Sequence, residues 1–179
     1  MRTNFVELRG SRLLKEPLRL SGEYQRPDED TLVRQVRAPY AETTTITTDA
    51  AGGQATIERA GKSPRTFSLS RVPELARLRD SFGALLSGDR AALARHYDIS
   101  TEGTRRSWRM TLVPKDAELS KKLRDIRMYG RGIELRCIES HPVQGDVQRT
   151  LLAGAAREAH EIRAVDGLVA LCRGGGQKT

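Results

Sequence analysis

The chain has 179 residues, 37% of them apolar and 30% charged, which suits one domain built as a sheet with one wet face better than a thick layered fold. A net charge of +8 raises nucleic acid and anionic membrane as partners, yet the basic residues stand singly and aromatics are only 4%, too few for base stacking. No span of 18 apolar residues is present, so no transmembrane helix is expected.

Thr3 to Arg9 alternates Phe5 and Glu7 against Val6 and Leu8, a first strand entered almost at once, and we expect a targeting segment to have been removed ahead of it. Leu18, Leu20, Gly22 and Tyr24 then share one face of a strand, with Arg19, Ser21 and Glu23 on the other. The turn Arg26 to Asp30 leads to a strand at Thr31 to Ala38, closed by Pro39. Glu42 to Asp49 is almost wholly β-branched, and Gln54 to Arg59 follows as another strand. Arg65 to Arg71 points Phe67 and Leu69 one way and Thr66, Ser68 and Ser70 the other.

From Pro73 to Tyr97 the period changes. Leu75, Leu78, Phe82, Leu85 and Leu86 draw one apolar stripe along a helix. Pro73 and Glu74 suit its first turn, Ser87-Gly88 its end, and Asp89 can cap a second, shorter helix through Leu93. The stripe must be buried against the open face of a sheet. Ordinary core packing satisfies that, and so does a space enclosed for a guest.

Asp98 to Gly103 reads as a connection. Arg105 to Val113 then sets Trp108, Met110 and Leu112 on one face, and Lys115 to Ser120 is a polar link. Leu123 to Tyr129, Gly132 to Glu139 and Asp146 to Leu152 complete about ten short strands, an antiparallel meander in which Ile133, Leu135 and Cys137 form a late alternation. Arg19, Arg34, Arg109 and Arg136 alternate with apolar neighbours and are assigned to the outward face. Residues 153–179 form a tail, part helical and part disordered, beyond a domain at 1–152. Cys137 reads as a small buried residue and Cys172 lies in the tail; a bridge between them stays open.

Catalytic and metal chemistry find no footing. His96, His141 and His160 have no metal-ligand spacing with either cysteine, no nucleophile elbow occurs, and the glycine runs lack a phosphate-loop context. No enzyme, cofactor or metal is expected.

The order of the pieces carries a resemblance. FVELRGSRLLKEPLRLSGEYQRP, a strand ending at Ala38-Pro39, Pro73-led helices ending in LLSGD, then WRMTLVPK (Trp108 to Lys115), then Gly130 or Gly132 and Gly145-Asp146 follow one another. The chain resembles the LolA-like superfamily of periplasmic lipoprotein carriers, and more closely the LolA-related proteins of Gram-negative envelope and aryl-polyene clusters. The match spans roughly Asn4 to Leu152. It implies a mainly β (α+β) fold, an unclosed antiparallel β-barrel with helices at about 73–97 lying across its concave side. It also implies periplasmic transport of acyl chains toward the outer membrane. The apolar cavity would be lined by Leu18, Leu20, Tyr24, Phe67, Leu69, Leu75, Leu78, Phe82, Leu86, Trp108, Met110 and Leu112. Arg26-Pro27 matches the family's lid-holding pair, at a shorter spacing from Gly22.

The partners this implies are an acyl chain, lipid or lipidated protein, and docking proteins of the inner and outer membranes. No nucleic acid is expected, and the protein is read as a monomer. A scaffolding subunit that holds a partner protein on the concave sheet is the alternative.

Overall fold

The computed structural model describes residues 1–10, 12–49, 52–71, 84 and 89–174. The strands are β1 (Arg2–Arg9), β2 (Leu18–Gln25), β3 (Thr31–Ala38), β4 (Glu42–Thr47), β5 (Gln54–Arg59) and β6 (Arg65–Ser68), then β7 (Tyr97–Thr104), β8 (Ser107–Pro114), β9 (Leu123–Arg131), β10 (Glu134–Pro142) and β11 (Gln148–Leu152). The described helices are α1 (Arg90–His96), α2 (Ala117–Ser120), α3 (Ala153–Ala159) and α4 (Val165–Cys172). All the strands join one open sheet in the order β6-β5-β4-β3-β2-β1-β11-β10-β9-β8-β7, with antiparallel ladders. Sequence neighbours therefore pair, as the short turns predict. What closes the two runs of strands into one sheet is the long-range pairing of β1 with β11, Val6 opposite Leu151 and Leu8 opposite Arg149.

Contacts divide the chain into two compact units, one of residues 1–3 with 21–95 and one of residues 4–20 with 96–179. In the first unit, Leu32, Ile46, Ala55 and Phe67 stand opposite one another across β3 to β6. They pack with Leu69, which is fully buried in a 3-10 turn at Leu69–Arg71 rather than in a continued strand. Asp89 caps α1 as expected, its carboxylate accepting the Ala92 N–H at 2.9 Å. His96 ends that helix. The longer helix expected before it, with Leu75, Leu78, Phe82, Leu85 and Leu86, lies outside the described residues.

In the second unit β9 buries both of its faces: Asp125 and Tyr129 on one, Ile126 and Met128 on the other. The first of these faces continues through Val6, Leu151 and Cys137 and is covered by α3 and α4, whose Ala155, Ala156, Ala159, Leu168 and Leu171 complete its core. The expectation of one wet sheet face does not hold here. The apolar residues that cover this face come from beyond residue 152, in small Ala-rich helices too short to stand alone. Arg19 joins them, donating to the Ala159 and Ile162 carbonyls at 2.7 Å each, which satisfies acceptors at and just beyond the end of α3. Cys137 and Cys172 form a disulfide that ties α4 to β10.

Other elements depart from the expected pattern. The stretch read as a connection after Tyr97 is β7, an end strand whose only large apolar side chain between Asp98 and Thr104 is Ile99. Most of its residues face solvent, so the composition gives little sign of a strand. Ile133 is 99% exposed, because it sits in the β9–β10 turn, and a register shift between Leu135 and Cys137 breaks the alternation read there. The polar link after β8 holds α2, capped by the Asp116 carboxylate.

Candidate functional site

Residues directly opposite in an antiparallel ladder project to the same face. In the second unit Met110 stands opposite Met128, which stands opposite Ile138, while Leu112 stands opposite Ile126 and Ile99. This row of aliphatic side chains lies on the face away from α3 and α4. Leu112, Ile126 and Met128 are buried, whereas Trp108, Met110, Ile99 and Ile138 are only half buried. The expected trio Trp108, Met110 and Leu112 thus belongs to a broader apolar face. Its other members come from β7, β9 and β10; the alternation of Ile126 with Met128 was the available signal for β9.

Trp108 is held by a specific backbone device. Its indole N–H donates to the Gly132 carbonyl at 2.9 Å, and its ring lies across Gly130, where a Cβ would come within 2.0 Å of the ring. Alanine at Gly130 must lift the ring. We expect a red-shifted emission from Trp108, the only tryptophan in the chain, and a loss of about 1–3 kcal/mol from overpacking. Fluorescence and urea titration of Gly130→Ala check this, and an unchanged emission maximum would speak against it.

In the first unit the apolar row is bordered by polar ones. Tyr24, Arg34, Thr44 and Ile57 form one row, and Val36, Glu42 and Arg59 the next. Arg34 was expected on the outward face. The ladder puts it on the same face as Tyr24, Leu32 and Val36, as period two requires within TLVRQVRA. It is kept there by Glu42 at 3.9 Å, and Glu42 also pairs with Arg59, whose guanidinium lies 4.9 Å from the centre of the Tyr40 ring. A buried cation is tolerable on an apolar face only with such a counter-charge. Arg109 does sit on the face opposite Trp108 and pairs with Glu102; Arg136 pairs with Glu158 of α3 at 2.7 Å. Of the other expected residues, Leu20 is buried, Leu18 and Tyr24 are half buried, and Phe67 and Leu69 join the Ile46–Ala55 cluster. Leu75, Leu78, Phe82 and Leu86 lie outside the described residues. Arg26 closes the β2–β3 turn, donating to the Glu29 carbonyl at 3.1 Å, and exchanges backbone hydrogen bonds with Met1.

Beneath α4 lies a polar cluster that the sequence did not announce. Glu139 is fully buried. One of its oxygens accepts from Arg149 at 2.9 Å and Arg173 at 3.0 Å, and the other from Tyr129 at 3.2 Å and His141 at 3.0 Å. Burial alone would raise the Glu139 pKa. The hydrogen bonds from His141, Arg173 and Arg149 outweigh it and lower the value from 4.5 to about 2. Burial, with the adjacent Glu139 charge, pushes the Tyr129 phenol up. A carboxylate saturated by four donors has no lone pair turned toward a substrate, so this cluster holds α4 in place rather than performing acid–base work.

Among the described residues no helix is long and apolar enough to cross a membrane. A search of curated proteins gave no match to this chain. The model of the outer membrane lipoprotein carrier protein LolA-like family matches residues 1–175, through β11, α3 and the disulfide. The match covers nearly the whole chain, and the chain belongs to the LolA-like family.

Proposed function

We propose that this protein is a periplasmic carrier that holds the acyl chains of a lipid or lipidated partner against an apolar sheet face and delivers them toward the outer membrane. It works as a monomer and performs no chemistry on its cargo. The observation that carries this reading is the aliphatic row of Met110, Met128, Ile138, Leu112, Ile126 and Ile99, half of it only partly buried, on the sheet face that α3 and α4 leave alone. Family membership supports it. The Cys137–Cys172 disulfide supports an oxidising compartment, as the periplasm is. The cavity proposed includes Leu18, Leu20, Tyr24, Phe67, Leu69, Trp108, Met110 and Leu112, with Leu75, Leu78, Phe82 and Leu86 from the helical stripe as its cover and Arg26 as a hold on that cover.

Each buried CH₂ contributes about 0.8 kcal/mol, so a chain of about a dozen carbons offers roughly 10 kcal/mol before ordering costs. That supports useful affinity and still permits release. A fluorescent fatty acid is expected to bind wild-type protein, and Met110→Glu or Leu78→Glu to weaken binding at least tenfold, because a carboxylate would be stranded in the apolar site. Far-UV circular dichroism should stay that of a β protein. If wild type takes up no such probe, the scaffold reading gains. The observation in its favour is β7, an end strand of the sheet with most residues exposed, suited to pairing with a partner strand.

A further inference from the structure

A shallow, solvent-open cleft lies in the second unit, among the β7–β8 turn, the β9–β10 turn and the C-terminal end of α4. Arg106, Arg131, Arg136 and Arg173 line it, together with Tyr129 and Ser107, and among the described residues no acidic side chain does. Arg173 is committed to Glu139 and Arg136 to Glu158, so two of the cations are already balanced by structural carboxylates. Arg106 and Arg131 form no ion pair among the described residues: Glu134, which stands opposite Arg131 in the β9–β10 ladder, turns its carboxylate to the Gly154 N–H and to Arg136. Both arginines are exposed. One ladder position from the cleft, opposite Tyr129, the Arg109 Nε is buried without a hydrogen-bond partner among the described residues. Scattered arginines on a surface merely solvate it. Four converging on one concavity, two unbalanced and a fifth with an unused buried donor beside them, concentrate positive potential. The C-terminal end of α4 opposes this with a partial negative charge, which is smaller than a single guanidinium.

We propose that this cleft is a binding site for a phosphate ester, with Arg106 and Arg131 as its principal ligands. Guanidinium forks match tetrahedral phosphate oxygens two at a time, and an anion there would replace water around two guanidiniums that form no ion pair among the described residues. The phosphate could be that of a lipid headgroup or of a small soluble molecule, and the two sources are separable. The inference does not rest on the carrier reading, whose test involves other residues and an apolar probe.

The experiment compares wild type, Arg106→Gln/Arg131→Gln, and a control with the same change of charge, Arg157→Gln/Arg163→Gln, both exposed and neither lining the cleft. Each is titrated with inorganic phosphate and glycerol 3-phosphate by calorimetry. Each is also mixed with vesicles of phosphatidylglycerol or phosphatidylcholine in a sedimentation assay. The site is supported if an anionic probe binds and the cleft pair loses at least tenfold in affinity while the control loses less than threefold. Binding of the soluble phosphates assigns a soluble ligand; binding of phosphatidylglycerol vesicles alone assigns a headgroup. Equal losses in both pairs, or no binding of any anionic probe by wild type, overturn the proposal. Random duplex DNA held more tightly than the vesicles, and lost in the cleft pair, overturns it in favour of nucleic acid.

Discussion

Serine at both Cys137 and Cys172 is expected to lower the unfolding free energy by about 4 kcal/mol. The bridge spans 35 residues, and closing a loop of that size in the unfolded chain accounts for a loss of this size by chain entropy alone. The folded state gives a reason for the bond as well. Helix α4 has only eight residues, below the length that is stable alone, and its Leu168 and Leu171 cover the sheet only while the helix stays docked. Urea denaturation of wild type should therefore shift down by about 2 M on adding reductant, and the double serine variant should match reduced wild type. The β-sheet signal should persist without denaturant, because the strand ladders do not depend on the bond. A midpoint indifferent to reductant would mean that the bridge adds no net stability. Production in a reducing compartment should give the weaker form.

Glu139→Gln is expected to cost about 2–3 kcal/mol at neutral pH, since it removes the charge that the largely buried Arg149 and the exposed Arg173 both meet. The same residue sets an acid dependence. Its folded pKa of about 2 lies below the ordinary 4.5, so its stabilisation is fully present above about pH 4.5. It is lost as the pH falls from there toward 2, when the proton taken up by the unfolded state is refused by the folded one. The shift corresponds to roughly 3 kcal/mol. Urea midpoints at pH 7, 4 and 2.5 should fall steeply for wild type and less steeply for Glu139→Gln. Parallel falls in both would place the acid sensitivity in other carboxylates. Loss of Glu139 also frees Arg173 beside the phosphate cleft, so the two sites are best examined in separate variants.

How far the site could be read from the chain differs from residue to residue. Trp108, Met110 and Leu112 were legible because the burial of one face writes itself into a strand as period two. Ile99 was not, since an end strand with a mostly solvated backbone needs few apolar residues, and YDISTEGT resembles a loop. Arg34 misled for another reason: period two gives the face, but an arginine was taken for solvent exposure when its counter-charge, Glu42, sits on the neighbouring strand. The helical stripe remains a sequence expectation, because residues 72–83 and 85–88 are outside the description.

Local chemistry in the sequence determined the strands other than β7, their antiparallel turns, the Asp89 cap and the apolar identity of one sheet face. These depend on residues a few positions apart, whose sterics and hydrogen bonds act before any fold exists. Only the tertiary structure decided that β1 pairs with β11 and that, in the second unit, α3 and α4 cover the face bearing Tyr129, Cys137 and Leu151. It alone brought Cys172 to Cys137, and Arg149, Arg173 and His141 to Glu139. Such contacts join residues up to about 150 positions apart, and no local period records them. Loop closure must be spent before they form, so the burial of Glu139 and the gathering of four arginines at one cleft are visible only once β8 to β11 have paired and α4 has docked on them.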